Sequence, residues 1–316
     1  FKQKTAYEIG VRLVGSEMCI RDRVQILDFE REIFALEKQI HDLVSLSHMY
    51  DSVGDITEEI SKLKKKLRKM KHDVYSNLKG WDKTMVARHP DRPHMLDYIQ
   101  HIFSDFFELH GDRHGGDGPS IVAGPAKFAD LPVMVVGHQK GRDMEEKIAR
   151  NFGMSQPSGY RKALRLMRMA EKFNMPIITF IDTPGAYPGV DAEEKGQSEA
   201  IATNMFSMIQ MRVPIICVVI GEGGSGGALA IGVGDRVLML EHSVYSVISP
   251  EGCASILWED KNKNRQAADA LCLTANHLLK FQIIDQIVRE PLGLSLIHIS
   301  EPTRRTPISY AVFCLK

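Results

Sequence analysis

The sequence is short of cysteine, of long apolar runs and of any excess of one charge. Five cysteines occur in 316 residues (Cys19, Cys217, Cys253, Cys272 and Cys314), none in a Cys-x-x-Cys pair. An odd count at wide spacings supports neither a zinc ribbon nor a disulfide framework, and it suits a reducing, cytoplasmic setting. No apolar run reaches the about 18 residues of a membrane span. The strongest candidate, Val213 to Gly221, has the length of a strand. Lysine plus arginine and aspartate plus glutamate number 40 each, so no global field directs the chain to nucleic acid or to a membrane surface.

What is present is ordinary for a globular protein: 44% hydrophobic and 25% charged residues, in a length that admits one large domain or two modest ones. The local basic run Lys64-Lys65-Lys66, with Arg68, Lys69 and Lys71, reads as a solvated helix face. Residues 1–23 and 295–316 read differently from the rest. Both resemble translated sequencing-adapter sequence, and we set them aside as non-native ends, with the native C-terminus expected to continue differently. The remainder divides into a helical region, 24–80, and a larger domain, 81–294.

Helical periodicity opens the chain. Phe29, Ile33, Leu36, Ile40 and Leu43 form one apolar stripe, and Ile56, Ile60, Leu63, Leu67, Met70 and Val74 form a second, which predicts a helical hairpin. Gly54 falls in the turn, and Asp55 with Glu58 reads as a helix cap. His89-Pro90-Asp91-Arg92-Pro93 is a loop, and Leu96 to Leu109 is predicted helical. Strand-like runs follow at 121–128, 132–137, 176–181, 214–220, 236–240 and 244–248. Helices are predicted at 145–152, 160–173, 193–211 and 226–232. Strands alternating with helices predict an α/β domain with largely parallel strands.

Two strands end in glycine-rich turns that lead into helices: Asp182-Thr-Pro-Gly-Ala-Tyr-Pro-Gly189 and Gly221-Glu-Gly-Gly-Ser-Gly-Gly-Ala228. Glycine lets a substrate approach the backbone closely, and a helix start offers unpaired N–H groups. Together they make an anion or oxyanion site. Two other motifs fit the second turn. Gly221-x-Gly223-x-x-Gly226 matches a dinucleotide fingerprint, although a strand-like run at Val244 follows where a helix is needed. Gly223-x-Ser225-x-Gly227 matches a serine nucleophile elbow, for which the part ahead of the adapter-like end offers His242 and His277 downstream. A phosphate P-loop is excluded, because no Gly-Lys-Ser/Thr follows. A third turn, Ser249-Pro250-Glu251-Gly252-Cys253, predicts a helix capped by Ser249 with Cys253 in its first turn.

Ala87-Arg-His-Pro90, Gly137-His-Gln-Lys-Gly-Arg142, Asn151-Phe-Gly-Met154, Gly159-Tyr-Arg-Lys-Ala-Leu-Arg165, both glycine turns and Ser249-Pro-Glu-Gly-Cys-Ala-Ser-Ile-Leu-Trp258 resemble, in this order, the carboxyltransferase alpha subunits of acetyl-CoA carboxylase. The resemblance covers roughly residues 26–293. It implies a crotonase-like α/β fold of repeated ββα units behind the N-terminal hairpin. It implies transfer of a carboxyl group from biotin, held on a biotin carboxyl carrier protein and charged by biotin carboxylase, to acetyl-CoA, giving malonyl-CoA for fatty acid synthesis. It further implies an α2β2 assembly whose beta subunit bears the zinc ribbon and a second oxyanion hole, so that no metal is expected in this chain. On this reading the backbone N–H groups of Gly226 and Gly227 form an oxyanion hole. Gly185, Ala186, Tyr187 and Gly189 of the first turn, and Gly223 and Gly224 of the second, line the substrate.

Overall fold

The computed structural model describes residues 26–47 and 54–290, with side chains given for all of these but 54–56 and 261. The adapter-like ends, Cys19, Cys314 and the Asp55 side chain proposed as a cap lie outside the described residues. The chain divides into two compact units between Ser76 and Asn77.

In the first unit α1 (Arg31–Ser47) and α2 (Gly54–Ser76) pair as the periodicity predicts. Ile33, Leu36 and Ile40 are buried, and the Ile60, Leu63, Leu67, Met70 and Val74 stripe is half-buried. The helices run antiparallel. Lys71 Nζ pairs with Glu37 at 2.6 Å, and the Tyr75 hydroxyl donates to Glu30. Lys64, Lys65, Lys66, Arg68 and Lys69 are exposed, the solvated face that their composition predicts.

The second unit opens with α3 (Gly80–Ala87) and α4 (Met95–Ile102). It continues with β1 (Ile121–Phe128), β2 (Leu131–His138), α5 (Met144–Ala149), α6 (Pro157–Lys172) and β3 (Ile177–Thr183). Next come α7 (Val190–Glu194), α8 (Gln197–Gln210), β4 (Ile215–Gly224), α9 (Ser225–Leu229), β5 (Arg236–Leu240) and β6 (Val244–Ser246). The last elements are α10 (Pro250–Trp258), α11 (Asn264–Ala270), α12 (Ala275–Lys280) and β7 (Gln286–Val288). The sheet order is β1-β2-β3-β4-β5-β7, and β6 pairs with β4. Only β1 and β2 are antiparallel; the other pairs are parallel.

Both faces of the sheet are buried, as a parallel sheet requires. Along β4 the side chains alternate. Cys217 and Val219 join a core with Met134, Leu166 and Ile177, whereas Val218 and Ile220 join another with Met95, Phe180 and Leu240.

Four elements depart from the sequence reading. The helix predicted over 96–109 stops at Ile102. Beyond it Ser104, Phe107 and Leu109 donate backbone hydrogen bonds of 2.9–3.0 Å to Lys127, Pro125 and Ala123, covering the outer edge of β1. An edge with unpaired backbone groups outweighs helical periodicity here. The helix predicted over 193–211 is split at Gly196, whose φ of 81° no continuing helix allows. Strand β7 has only three residues and carries no alternation long enough to read. Finally, β4 does not end at Ile220 but runs on to Gly224, so the first part of the glycine run is strand rather than turn.

Candidate functional site

The two glycine-rich turns meet at the C-terminal edge of the sheet, and they meet backbone to backbone. A Cβ on Gly224 would lie 2.1 Å from the Pro184 carbonyl oxygen, and one on Gly227 would lie 2.5 Å from Ala186 N. Neither position has room for a side chain. Gly226 differs: the nearest atoms to a Cβ there belong to Ile201, at 3.7 Å. At Gly185, with φ of 153°, the nearest is Ser225 Cβ at 3.8 Å. The turns are therefore closed against each other behind Gly224 and Gly227, whereas Gly226 and Gly185 leave room for a Cβ at ordinary contact distance.

Ser225, Gly226 and Gly227 begin α9, where an N–H has no carbonyl one turn earlier to bond. Among the described residues, the N–H groups of Gly226 and Gly227 make no backbone bond outside this helix. Ser225 is exposed at a φ of 53°, a left-handed conformation that points the chain into the helix abruptly. The first turn is pinned from below. Thr183 Oγ1 donates to the Gly153 carbonyl (2.7 Å) and accepts from the Gly185 N–H (3.1 Å). Gln197 Nε2 donates to the carbonyls of Ser155 and Tyr187, at 2.9 Å each.

Each sequence-predicted residue can now be placed. Gly185 and Gly227 are buried, and Gly226, Ala186, Tyr187 and Gly189 are half-buried around the junction. Gly223 and Gly224 are buried in β4, in register with Tyr245 and Ser246 of β6. Gly223 serves packing, since a Cβ would meet the Tyr245 ring at 2.7 Å. Because β4 carries Gly221 and Gly223 as strand, the dinucleotide fingerprint has no tight turn to occupy. No described histidine hydrogen-bonds to Ser225, and His277 is paired instead with Thr274 at 2.9 Å. Ser249 caps α10 as predicted, accepting from the Gly252 N–H at 3.1 Å with Pro250 at the first helical position. Cys253 packs against Ala254 and Ala267.

The sequence reading missed an ionic frame under the turn. The register of β3 against β4 shifts between Ile181 and Thr183, and there Asp182 Oδ1 takes the Glu222 N–H at 2.9 Å in place of a backbone carbonyl. Gly221 is required beneath it, because a Cβ would stand 2.3 Å from the same oxygen. Lys140 Nζ pairs with Asp182 at 2.7 Å and reaches Glu222 at 3.8 Å. Arg88 donates to Glu222 Oε1 through Nε (2.9 Å) and Nη2 (2.7 Å), and to Glu251 through Nη1 (2.5 Å). Burial alone would raise the Asp182 pKa; Lys140 and the Glu222 N–H outweigh it and hold the carboxyl below its usual range. Burial alone would lower the Arg88 pKa, and the two glutamates outweigh it in turn. Within the basic segment Gly137 to Arg142, Lys140 is turned inward to Asp182, whereas Arg142 is exposed and meets Asp97 at the surface. Beside Gly227 lies His138, fully buried, whose pKa desolvation lowers to about 4. The one signal available in sequence was a charged residue, Glu222, inside an apolar strand and so in need of partners.

This architecture and its residues match known proteins. Solved chains that superpose on it include transcarboxylase 12S (TM-score 0.54, 20% identity, 70% of this chain and 41% of that one). The beta subunit of Pseudomonas aeruginosa geranyl-CoA carboxylase superposes similarly (TM-score 0.53, 16% identity, 71% and 44%). The chain spans about two fifths of the length of these solved chains, and at such identities they show the fold alone. That fold is the crotonase-like fold of carboxyltransferases.

Sequence similarity narrows the class. The model of the family described as acetyl co-enzyme A carboxylase carboxyltransferase-like matches residues 26–305. The acetyl-coenzyme A carboxylase carboxyl transferase subunit alpha of Geobacter metallireducens is 61% identical over 267 residues, 84% of this chain and 83% of the relative. That of Thiobacillus denitrificans is 58% identical over 271 residues, covering 86% and 84%. The chain belongs to the acetyl-CoA carboxylase carboxyltransferase alpha-subunit family.

Proposed function

We propose that this chain supplies one half of the active site in which a carboxyl group passes from carboxybiotin to acetyl-CoA, forming malonyl-CoA. The observation that carries the reading is the junction of the two turns. It puts the N–H groups of Gly226 and Gly227 at a helix start, with Gly227 packed on Gly185–Ala186 and Gly226 free of any such backbone clash. Biotin on its carrier protein supplies the carboxyl group and, on losing it, a ureido oxygen with developing negative charge. The residues fit that group. At Gly226 an added Cβ would stand in ordinary contact with Ile201 at 3.7 Å, so the backbone there is not blocked as it is at Gly227, and we assign the two helix-start N–H groups to that ureido oxygen.

The frame below does the positioning. Lys140, Asp182, Glu222, Arg88 and Glu251 tie β3, β4, α3 and α10 together, so the donors are set before any charge develops. Such preorganisation is worth about 2.7–4 kcal/mol per donor, since nothing must reorient in the transition state. Gly185, Ala186, Tyr187 and Gly189 form the other wall, with Gly223 and Gly224 holding β4 close behind.

The rest of the reaction belongs to partners. We assign acetyl-CoA enolisation to a second hole on a zinc-ribbon-bearing beta subunit, in an α2β2 assembly fed by biotin carboxyl carrier protein and biotin carboxylase in the cytoplasm. Exposed apolar side chains on and beside α10, namely Val247, Ile256 and Leu257, support a protein partner near the site. Among the described residues no helix is long and apolar enough to cross a membrane. The test is malonyl-CoA formation from carboxybiotin and acetyl-CoA by the chain mixed with a relative's beta subunit. Turnover only in the mixture is expected. Assembly of the pair without any carboxyl transfer would refute the reading.

A further inference from the structure

Away from the glycine turns, α6, α8 and the 112–114 loop line a cavity of about 380 Å³, half-open to solvent, whose charge is unbalanced. Four arginines line it, Arg113, Arg161, Arg165 and Arg168, against two carboxylates, Asp112 and Glu199. Asp112 is already saturated. Its side chain is fully buried, pairs with Arg161 at 3.0 Å, and accepts the N–H groups of His114 (2.7 Å) and Gly116 (2.9 Å). Glu199 is exposed and accepts from the Thr203 hydroxyl.

Three cations are left over. Arg165 donates only to the carbonyls of Gly111 (2.9 Å) and His110 (3.0 Å), and Arg168 only to the Ser207 hydroxyl (3.4 Å). Among the described residues neither these two nor Arg113 makes an ion pair. Arg113 is also held at a φ of 68°, in the left-handed region, within the loop that faces α6. Burial, and then the nearby Arg113, lower the Arg165 pKa, and the opposing pull of Asp112 and Asp117 does not make up for them. Arginines 161, 165 and 168 recur at spacings of four and three, so one helix face presents all three. Guanidinium groups lining one cavity, two of them on the exposed Arg113 and Arg168, suit phosphate oxygens, which take bidentate hydrogen bonds.

We propose that this cavity is a binding site for an anion bearing two or more phosphates. It is separate from the carboxyl-transfer reading and does not rest on it. Asn204 joins the two places: it lines the cavity while its Nδ2 donates to the carbonyls of Tyr160 on α6 (3.0 Å) and Ala230 just after α9 (3.1 Å). Two sources share the chemistry, the phosphates of an acyl-CoA and a free polyphosphate.

The probe is inorganic pyrophosphate, titrated calorimetrically into the full chain at low salt. Saturable binding is expected at one site, weakening about tenfold or more in Arg165→Gln and in Arg168→Gln, as for loss of one charge-assisted hydrogen bond. Glu199→Gln removes a repelling carboxylate and should tighten binding. Arg168 and Glu199 are both exposed, so their variants remain folded and keep the test decisive. Displacement of pyrophosphate by acetyl-CoA would assign the site to the acyl-CoA, and simultaneous binding would assign it to a free effector. No saturable binding, or binding indifferent to all three substitutions, overturns the proposal.

Discussion

Gly226 and Gly227 are neighbours in sequence with opposite steric settings. At Gly227 a methyl group would strike the Gly185–Ala186 backbone, which cannot move aside as a side chain could, whereas at Gly226 it meets only ordinary contact with Ile201. Gly227→Ala should therefore destabilise the fold by about 3 kcal/mol, and Gly226→Ala by less than about 1 kcal/mol, in denaturant titrations. Equal losses would show that the two turns do not pack as described. His138 gives a second prediction at this scale. Burial lowers its folded pKa to about 4, below the ordinary 6.5. The folded state thus resists a proton that the unfolded chain accepts. The group's contribution is complete above about pH 6.5 and is lost as pH falls towards 4, on the order of 3 kcal/mol in all. His138→Leu should flatten the decline of stability over that window, and an unchanged slope would mean that His138 is not held neutral. The glycines of both turns could be singled out from sequence, because their density after a buried strand is unusual. Their division into packing and open positions could not, since it depends on which backbone lies opposite.

Elements were legible where the local apolar pattern decides them. The α1–α2 stripes match their helical periodicity, and β1 and β5 match their short apolar runs. Legibility failed where a long-range partner decides. The chain after Ile102 is drawn to the β1 edge, and β4 is prolonged to Gly224 because β6 returns to pair with it. The β1–β2 hairpin turns on Ala129 and Asp130, both at positive φ (46° and 70°), without the Asn-Gly that usually announces such a turn. The ionic frame belongs to this scale, since Arg88 on the end of α3 holds the strand that carries Glu222. Arg88→Met should cost about 3–5 kcal/mol by leaving Glu222 and Glu251 without their shared cation. Adding Glu222→Gln should recover part of that loss in a double-mutant cycle; strictly additive losses would count against the frame.

At the scale of the whole molecule, the fold and the family agree, and the proposed function makes the site half of one. Both glycine turns, the frame and the cavity between α6 and α8 lie in the second unit, from Asn77 onward. This chain alone is expected to have no transfer activity, and a beta subunit is expected to restore it while raising the melting temperature of the chain it binds. The central claim is narrower: peptide N–H groups, not the Ser225 hydroxyl, stabilise the charge that develops. The most direct measurement compares Gly226→Ala, which keeps the N–H, with Gly226→Pro, which deletes it in the first turn of α9, where that N–H has no helical acceptor. Malonyl-CoA formation is followed with the beta subunit present and far-UV circular dichroism as the control for folding. Gly226→Ala should stay within about tenfold of the parent, and Gly226→Pro should lose about 100- to 1,000-fold in kcat. Parental turnover in a folded Gly226→Pro variant would contradict the account.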